Sequence, residues 1–160
     1  MSETLIQTKA KVEGSPTLWA PRLHHIGYVV PRISDAAPRF IASLQMTWDG
    51  EVFHDPAQTV RVTFLRHASA EEPMIELVEP ASPQSRVNSF LKRGGGLHHL
   101  CYETDSMSSQ LQVVLAAGAV LVLEPTPAVA FSGRKIAWIY TREKLLVEYL
   151  ERTVEEANAE

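Results

Sequence analysis

Two histidines and two glutamates attract attention because they recur. Leu23-His24-His25-Ile26-Gly27-Tyr28 and Leu97-His98-His99-Leu100-Cys101-Tyr102 match at four of six positions, 74 residues apart. Ile75-Glu76-Leu77 returns, 72 residues on, as Val147-Glu148-Tyr149. A carboxylate buried alone in an apolar strand is costly, so Glu76 and Glu148 should pair with a cation, bind a metal, or face water. If the repeats are related by a pseudo-twofold axis, His25, Glu76, His99 and Glu148 converge on one point. Such an N₂O₂ set suits one divalent first-row metal ion (Zn, Co, Ni, Mn or Fe) and leaves positions for water or substrate. Strand alternation turns His24 and His98 away from the face carrying His25 and His99. One member of each pair is therefore expected at the site.

The elements that must position these residues follow the same repeat. Short aliphatic and aromatic runs at 23–30 and 98–104 read as strands. Each is followed by a polar start and a helical stretch, 36–44 and 107–117. Pro38 is expected in the first turn of its helix, where its missing N–H has no partner to lose. Gly118 is placed to end the second helix. Further strands are expected at 50–53, 60–66 and 74–79, then at 120–123, 135–141 and 145–151. One strand, one helix and three strands, twice over, make an α+β architecture. Gln58, ahead of a strand, is a candidate substrate contact or a turn residue. Arg134 is a candidate for holding an anionic substrate group, together with Arg61, Arg66 and Lys135. Cys101 reads as a small core residue, and Gly94-Gly95-Gly96 as a connector, since no Gly-Lys-Ser/Thr follows it.

Composition narrows the function classes. The chain has 160 residues, 45% hydrophobic and 21% charged, with 8 Gly and one Cys. Collagen-like, disordered and disulfide-scaffold classes are excluded. Fifteen basic residues against 19 acidic ones leave a net charge of -4, so no basic field is available for nucleic acid. No run approaches the roughly 20 apolar residues of a membrane helix, and residues 2–16 lack the apolar core of a signal peptide. A soluble, cytoplasmic protein with no membrane partner is the expectation. Residues 1–20 read as a flexible extension, 21–151 as a single domain with modules of about 21–93 and 94–151, and 152–160 as an acidic tail.

Leu-His-His-Ile-Gly-Tyr-Val-Val (23–30), Ile-Glu-Leu-Val-Glu-Pro (75–80), Gly-Gly-Leu-His-His-Leu-Cys-Tyr-Glu (95–103) and Leu-Val-Glu-Tyr-Leu (146–150) resemble the vicinal oxygen chelate superfamily, the glyoxalase/bleomycin-resistance/dioxygenase fold. Glu79-Pro80, Ser85, Phe90-Leu91-Lys92 and then Gly-Leu-His-His follow in an order similar to that of methylmalonyl-CoA epimerases. The resemblance implies two βαβββ modules forming a curved eight-stranded mixed sheet around a metal-binding cleft, with His25, Glu76, His99 and Glu148 as ligands. It implies proton abstraction next to a carbonyl, with Glu148 the first choice of base and Glu76 the second. The implied substrate is a small molecule, an acyl-CoA thioester such as methylmalonyl-CoA among the candidates, and the implied assembly a homodimer. Some epimerases carry an acid four residues after the Gln of this motif; here that position is Val62. Two other readings share the fold: a ligand- or antibiotic-binding resistance protein without turnover, and an Fe(II) ring-cleaving dioxygenase using two His and one Glu.

Overall fold

The computed structural model describes residues 20–153. The expected extension and acidic tail lie outside the described residues, apart from Ala20, Arg152 and Thr153. The elements run β1 (Arg22–Val29), α1 (Ile33–Leu44), β2 (Phe53–Asp55), β3 (Val60–Leu65), β4 (Met74–Pro80), α2 (Val87–Lys92), β5 (Gly96–Thr104), α3 (Met107–Ala116), β6 (Val120–Pro127), a 3₁₀ turn (Val129–Phe131), β7 (Lys135–Tyr140) and β8 (Leu146–Glu151). The eight strands form one curved mixed sheet in the order β2-β3-β4-β1-β5-β8-β7-β6. That order reads the same from either edge inward, so the repeat in sequence is a repeat in space. β1 and β5 pair antiparallel at the centre, and each pairs in parallel with the last strand of its own module, β4 or β8.

Alternation sorts the two faces. On the outer face α1 packs through Ile33 and Ala37 on Leu65 and Leu77, while α3 packs through Met107 and Leu111 on Ala137, Ile139 and Val147. The intervening residues of the same strands, Val60, Val62, Phe64 and Val78 in one half and Cys101, Ile136 and Leu150 in the other, build the inner face. Full burial of each such aliphatic side chain contributes about 1.5–3 kcal/mol.

α1 starts on a long-range carboxylate, and α3 combines one with a local cap, Ser106 Oγ accepting from Ser109 N–H (3.4 Å). Ile33 N–H donates to Glu79 Oε2 of β4 (2.6 Å), and Met107 N–H donates to Glu151 Oε1 of β8 (3.3 Å). The cap of α1 therefore comes from a strand, and the helix begins three residues before the expected Ala36. Pro38 consequently sits in the second turn, not the first. Its missing N–H leaves the carbonyl of exposed Ser34 without its helical partner. α3 ends as expected at Gly118, which takes φ +93°, a conformation open to glycine. The expected strand at 50–53 is instead β2 at Phe53–Asp55, and α2 was not foreseen.

Candidate metal centre

The register of the four central strands places the candidate donors. Across β3, β4, β1 and β5 one row reads Phe64, Glu76, Gly27, His99. Across β7, β8, β5 and β1 the equivalent row reads Trp138, Glu148, Cys101, His25. In each row a small residue separates the carboxylate from the imidazole contributed by the other module. Gly27 is needed for this: a Cβ there would lie 1.9 Å from Cε1 of His99. The imidazole of His99 occupies the space a side chain would fill.

The four side chains meet in the inner face. His25 is 0% exposed, His99 2%, Glu148 3% and Glu76 6%. His25 Nε2 and His99 Nε2 are 3.2 Å apart. Glu148 Oε2 lies 3.2 Å from His25 Nε2 and 3.9 Å from His99 Nε2. Glu76 Oε2 lies 3.2 Å from His99 Nε2 and 3.6 Å from His25 Nε2. Phe64 and Trp138 wall the centre edge-on, with ring centroids 5.5 Å from His25 and 4.6 Å from His99.

These donors fit a cation. Nitrogen and carboxylate ligands bind first-row metals at roughly 2.0–2.2 Å, so ligand atoms around one ion are about 3–4 Å from one another; that is the spacing of these atoms. His25, His99 and Glu148 each offer an atom within 4.8 Å of the others. Glu148 Oε2 is buried without a hydrogen-bond partner, a state that costs stability unless a positive charge satisfies it.

Burial also sets the protonation states. It pushes His25 down from 6.5 to about 3, against the opposing charge of Glu76 and with reinforcement from His99. Burial, with His99, lowers His98 to about 4. Both imidazoles are neutral at pH 7, the form in which His25 can ligate a metal. Burial raises the Glu148 carboxyl above 4.5, partly offset by His99, which strengthens it as a base. Cys101 is held well above its ordinary range by burial and then by Glu148, so its thiol is no nucleophile.

The centre opens into a cavity of about 330 Å³ lined by both modules, with Glu76, His99 and Glu148 beside Val62, Phe131 and Trp138. Of the two candidate substrate residues, Gln58 lines this cavity, with its amide nitrogen 3.2 Å from Asp55 Oδ2. Arg134 is not among the lining residues; it donates to Glu103 Oε1 (2.7 Å) and to the Glu151 carbonyl (2.8 Å). Asp55, 6% exposed and lining the cavity, was not singled out in the sequence. It sits in a three-residue strand with no local signal. Phe64 and Trp138 were legible in principle, being aromatic at the repeat spacing of 74. His98 lines the cavity together with His99, against the expectation that alternation would turn it away, because the pairing of β1 with β5 shifts register at this point.

Comparison with known proteins agrees with this fold. Residues 24–138 match the family model for the glyoxalase/bleomycin resistance protein/dioxygenase superfamily. The uncharacterized protein YqjC of Bacillus subtilis (strain 168) is 35% identical over 133 residues, 81% of this chain and 91% of that protein. The mitochondrial methylmalonyl-CoA epimerase of Dictyostelium discoideum is 24% identical over 82% of this chain and 78% of its own length. Among solved structures, methylmalonyl-CoA epimerase from Mycobacterium tuberculosis superposes with a TM-score of 0.72 at 23% identity, covering 86% of this chain and 92% of that one. A match over residues 24–138, which takes in the strands of His25, Glu76 and His99 and stops short of β8, makes the chain a member of the glyoxalase/bleomycin resistance protein/dioxygenase superfamily.

Proposed function

We propose that the protein is a divalent-metal-dependent epimerase or isomerase that removes a proton next to the carbonyl of an acyl-CoA thioester, methylmalonyl-CoA being the first candidate. The observation that carries this reading is the buried cluster of two imidazoles and two carboxylates at the base of a cavity open to a small molecule. His25, Glu76, His99 and Glu148 would hold the ion. When bound, it supplies a positive charge that offsets the oxyanion developing on a substrate carbonyl.

The rest of the chemistry belongs to the chain. Glu148, its carboxyl raised by burial, is the base that takes the α-proton, and Glu76 is the alternative. Trp138, paired with Glu148 across β7 and β8, and Phe64 and Phe131, packed on His25, keep water from the centre and so strengthen the charge interactions inside. Epimerisation also requires a proton on the opposite face of the carbon. Val62 stands where some epimerases carry an acid, and Asp55 is the one carboxylate among the lining residues that is not a candidate metal donor. Gln58 holds it through its backbone N–H (3.0 Å) and side-chain amide (3.2 Å). We assign Asp55 the second proton. Cytoplasmic residence, argued from composition, and a homodimeric assembly, argued from the family resemblance, complete the proposal.

The test is α-proton exchange. Metal-loaded protein incubated in D₂O with methylmalonyl-CoA and a panel of acyl-CoA thioesters should incorporate deuterium at the α-carbon, and a chelator should abolish it. Absence of exchange with every thioester refutes the assignment.

A further inference from the structure

The central strand pair carries an irregularity at each candidate histidine pair. On β1, Leu23 pairs with Tyr102 and His25 with Cys101, so His24 is an extra residue opposite nothing on β5. On β5, Leu97 pairs with Tyr28 and His99 with Gly27, so His98 is the extra residue opposite nothing on β1. Each is a β-bulge, and a bulge re-aims the side chain it carries. The outcome is the same in both halves. His24 Nδ1 lies 2.8 Å from His25 Nδ1, and His98 Nδ1 lies 3.0 Å from His99 Nδ1.

These contacts occupy the ring nitrogen that faces away from the centre. His25 Nε2 and His99 Nε2 are the atoms that face each other and the two glutamates. A histidine that ligates through Nε2 needs its Nδ1–H engaged by an acceptor, which settles both tautomer and ring orientation. We propose that His24 and His98 are that acceptor: a duplicated pair of positioning residues, each placed by a β-bulge to hold the Nδ1–H of its neighbour and present Nε2 to a metal ion. This rests on the metal-centre reading above.

The two halves differ in what lies behind the acceptor. His24 Nε2 is 3.9 Å from Glu103 Oε1, a carboxylate also held by Arg134 and Arg152. His98 packs edge-on against Phe90 (4.9 Å) and Trp138 (6.3 Å) at the cavity wall. At 3.9 Å Glu103 acts on His24 through its charge rather than through a hydrogen bond, whereas His98 is held at this side by aromatic packing. Loss of His98 should accordingly be the better tolerated.

The experiment has one readout without metal and one with it. In ¹⁵N-histidine-labelled, metal-free protein, His25 and His99 should show the proton on Nδ1. His24→Ala should mix the tautomers of His25, and His98→Ala those of His99, with the melting temperature as a check on folding. In Co(II) titrations each alanine variant should bind about 10- to 100-fold more weakly than wild type. His24→Asn, which keeps a side-chain acceptor, should recover most of that loss. Wild-type rings protonated on Nε2, or alanine variants with unchanged tautomers and unchanged Co(II) affinity, overturn the proposal. A wild-type chain with the Nδ1–H tautomer that takes up no Co(II) refutes the metal-centre reading and reduces the two pairs to structural contacts.

Discussion

Gly27→Ala is the sharpest small perturbation the fold offers. Gly27 sits directly across from His99 in the central strand pair, and its backbone is not in the left-handed region, so alanine meets no conformational penalty there. It meets a ring instead. The added methyl would lie 1.9, 2.2 and 2.5 Å from Cε1, Nδ1 and Nε2 of His99. Non-bonded carbon contacts are comfortable at about 3.5–4.0 Å, so the imidazole must retreat by roughly 1.6–2.1 Å. Metal sites tolerate only about 0.2 Å in ligand distance. His99 Nε2, now 3.2 Å from both His25 Nε2 and Glu76 Oε2, would leave the cluster. Metal affinity should fall by about 100-fold or more, beyond the 10- to 100-fold seen when an outer partner is lost. The overpacking itself should cost about 1–3 kcal/mol. Calorimetric Co(II) titration alongside thermal melting separates the two effects. The matched control is Cys101→Ala, the equivalent position across from His25, where removing a sulfur should change metal affinity by no more than a few-fold. Wild-type affinity in a folded Gly27→Ala variant would refute the reasoning.

Three further outcomes can be checked independently. Metal-free protein should lose stability as pH falls below 6.5: His25 and His98 have folded values near 3 and 4, so the unfolded chain binds the protons first. For His25 the loss approaches about 1.4 kcal/mol per pH unit, and urea titrations at pH 7, 6 and 5 should show a shallower dependence in His98→Phe. Glu79→Ala should destabilise the chain by about 1–2 kcal/mol through the lost cap on Ile33, and the longer contact from Glu151 to Met107 predicts a smaller effect of Glu151→Ala. Asp55→Asn should leave deuterium exchange of one epimer intact while abolishing inversion, as read by chiral analysis of the thioester; normal inversion removes Asp55 from the mechanism.

Much of this architecture is legible in the residues, because a duplication writes the same information twice. A His-His dipeptide and a glutamate in an apolar strand mean little singly, but their return at offsets of 74 and 72 ties each to an equivalent place in the fold. What escaped was of another kind. The bulges at His24 and His98 are properties of strand pairing, and nothing within either strand breaks the expected alternation. The caps from Glu79 and Glu151 cross 46 and 44 residues of chain, so Ser34 and Asp35 were the only visible signal for the start of α1. α2 spans six residues, too few for a helical period to register. Arg134 carried the right charge for an anionic substrate, yet Glu103 of β5 engages it first.

The central claim is that His25, Glu76, His99 and Glu148 surround one cation, and stoichiometric metal titration of the purified chain tests it most directly. One equivalent of Co(II) or Ni(II) per chain is predicted, with the affinity collapsing in His99→Ala and Glu148→Ala and falling in His25→Ala and Glu76→Ala, while Arg134→Ala binds as wild type. Absence of uptake, or uptake indifferent to these four residues, contradicts the account.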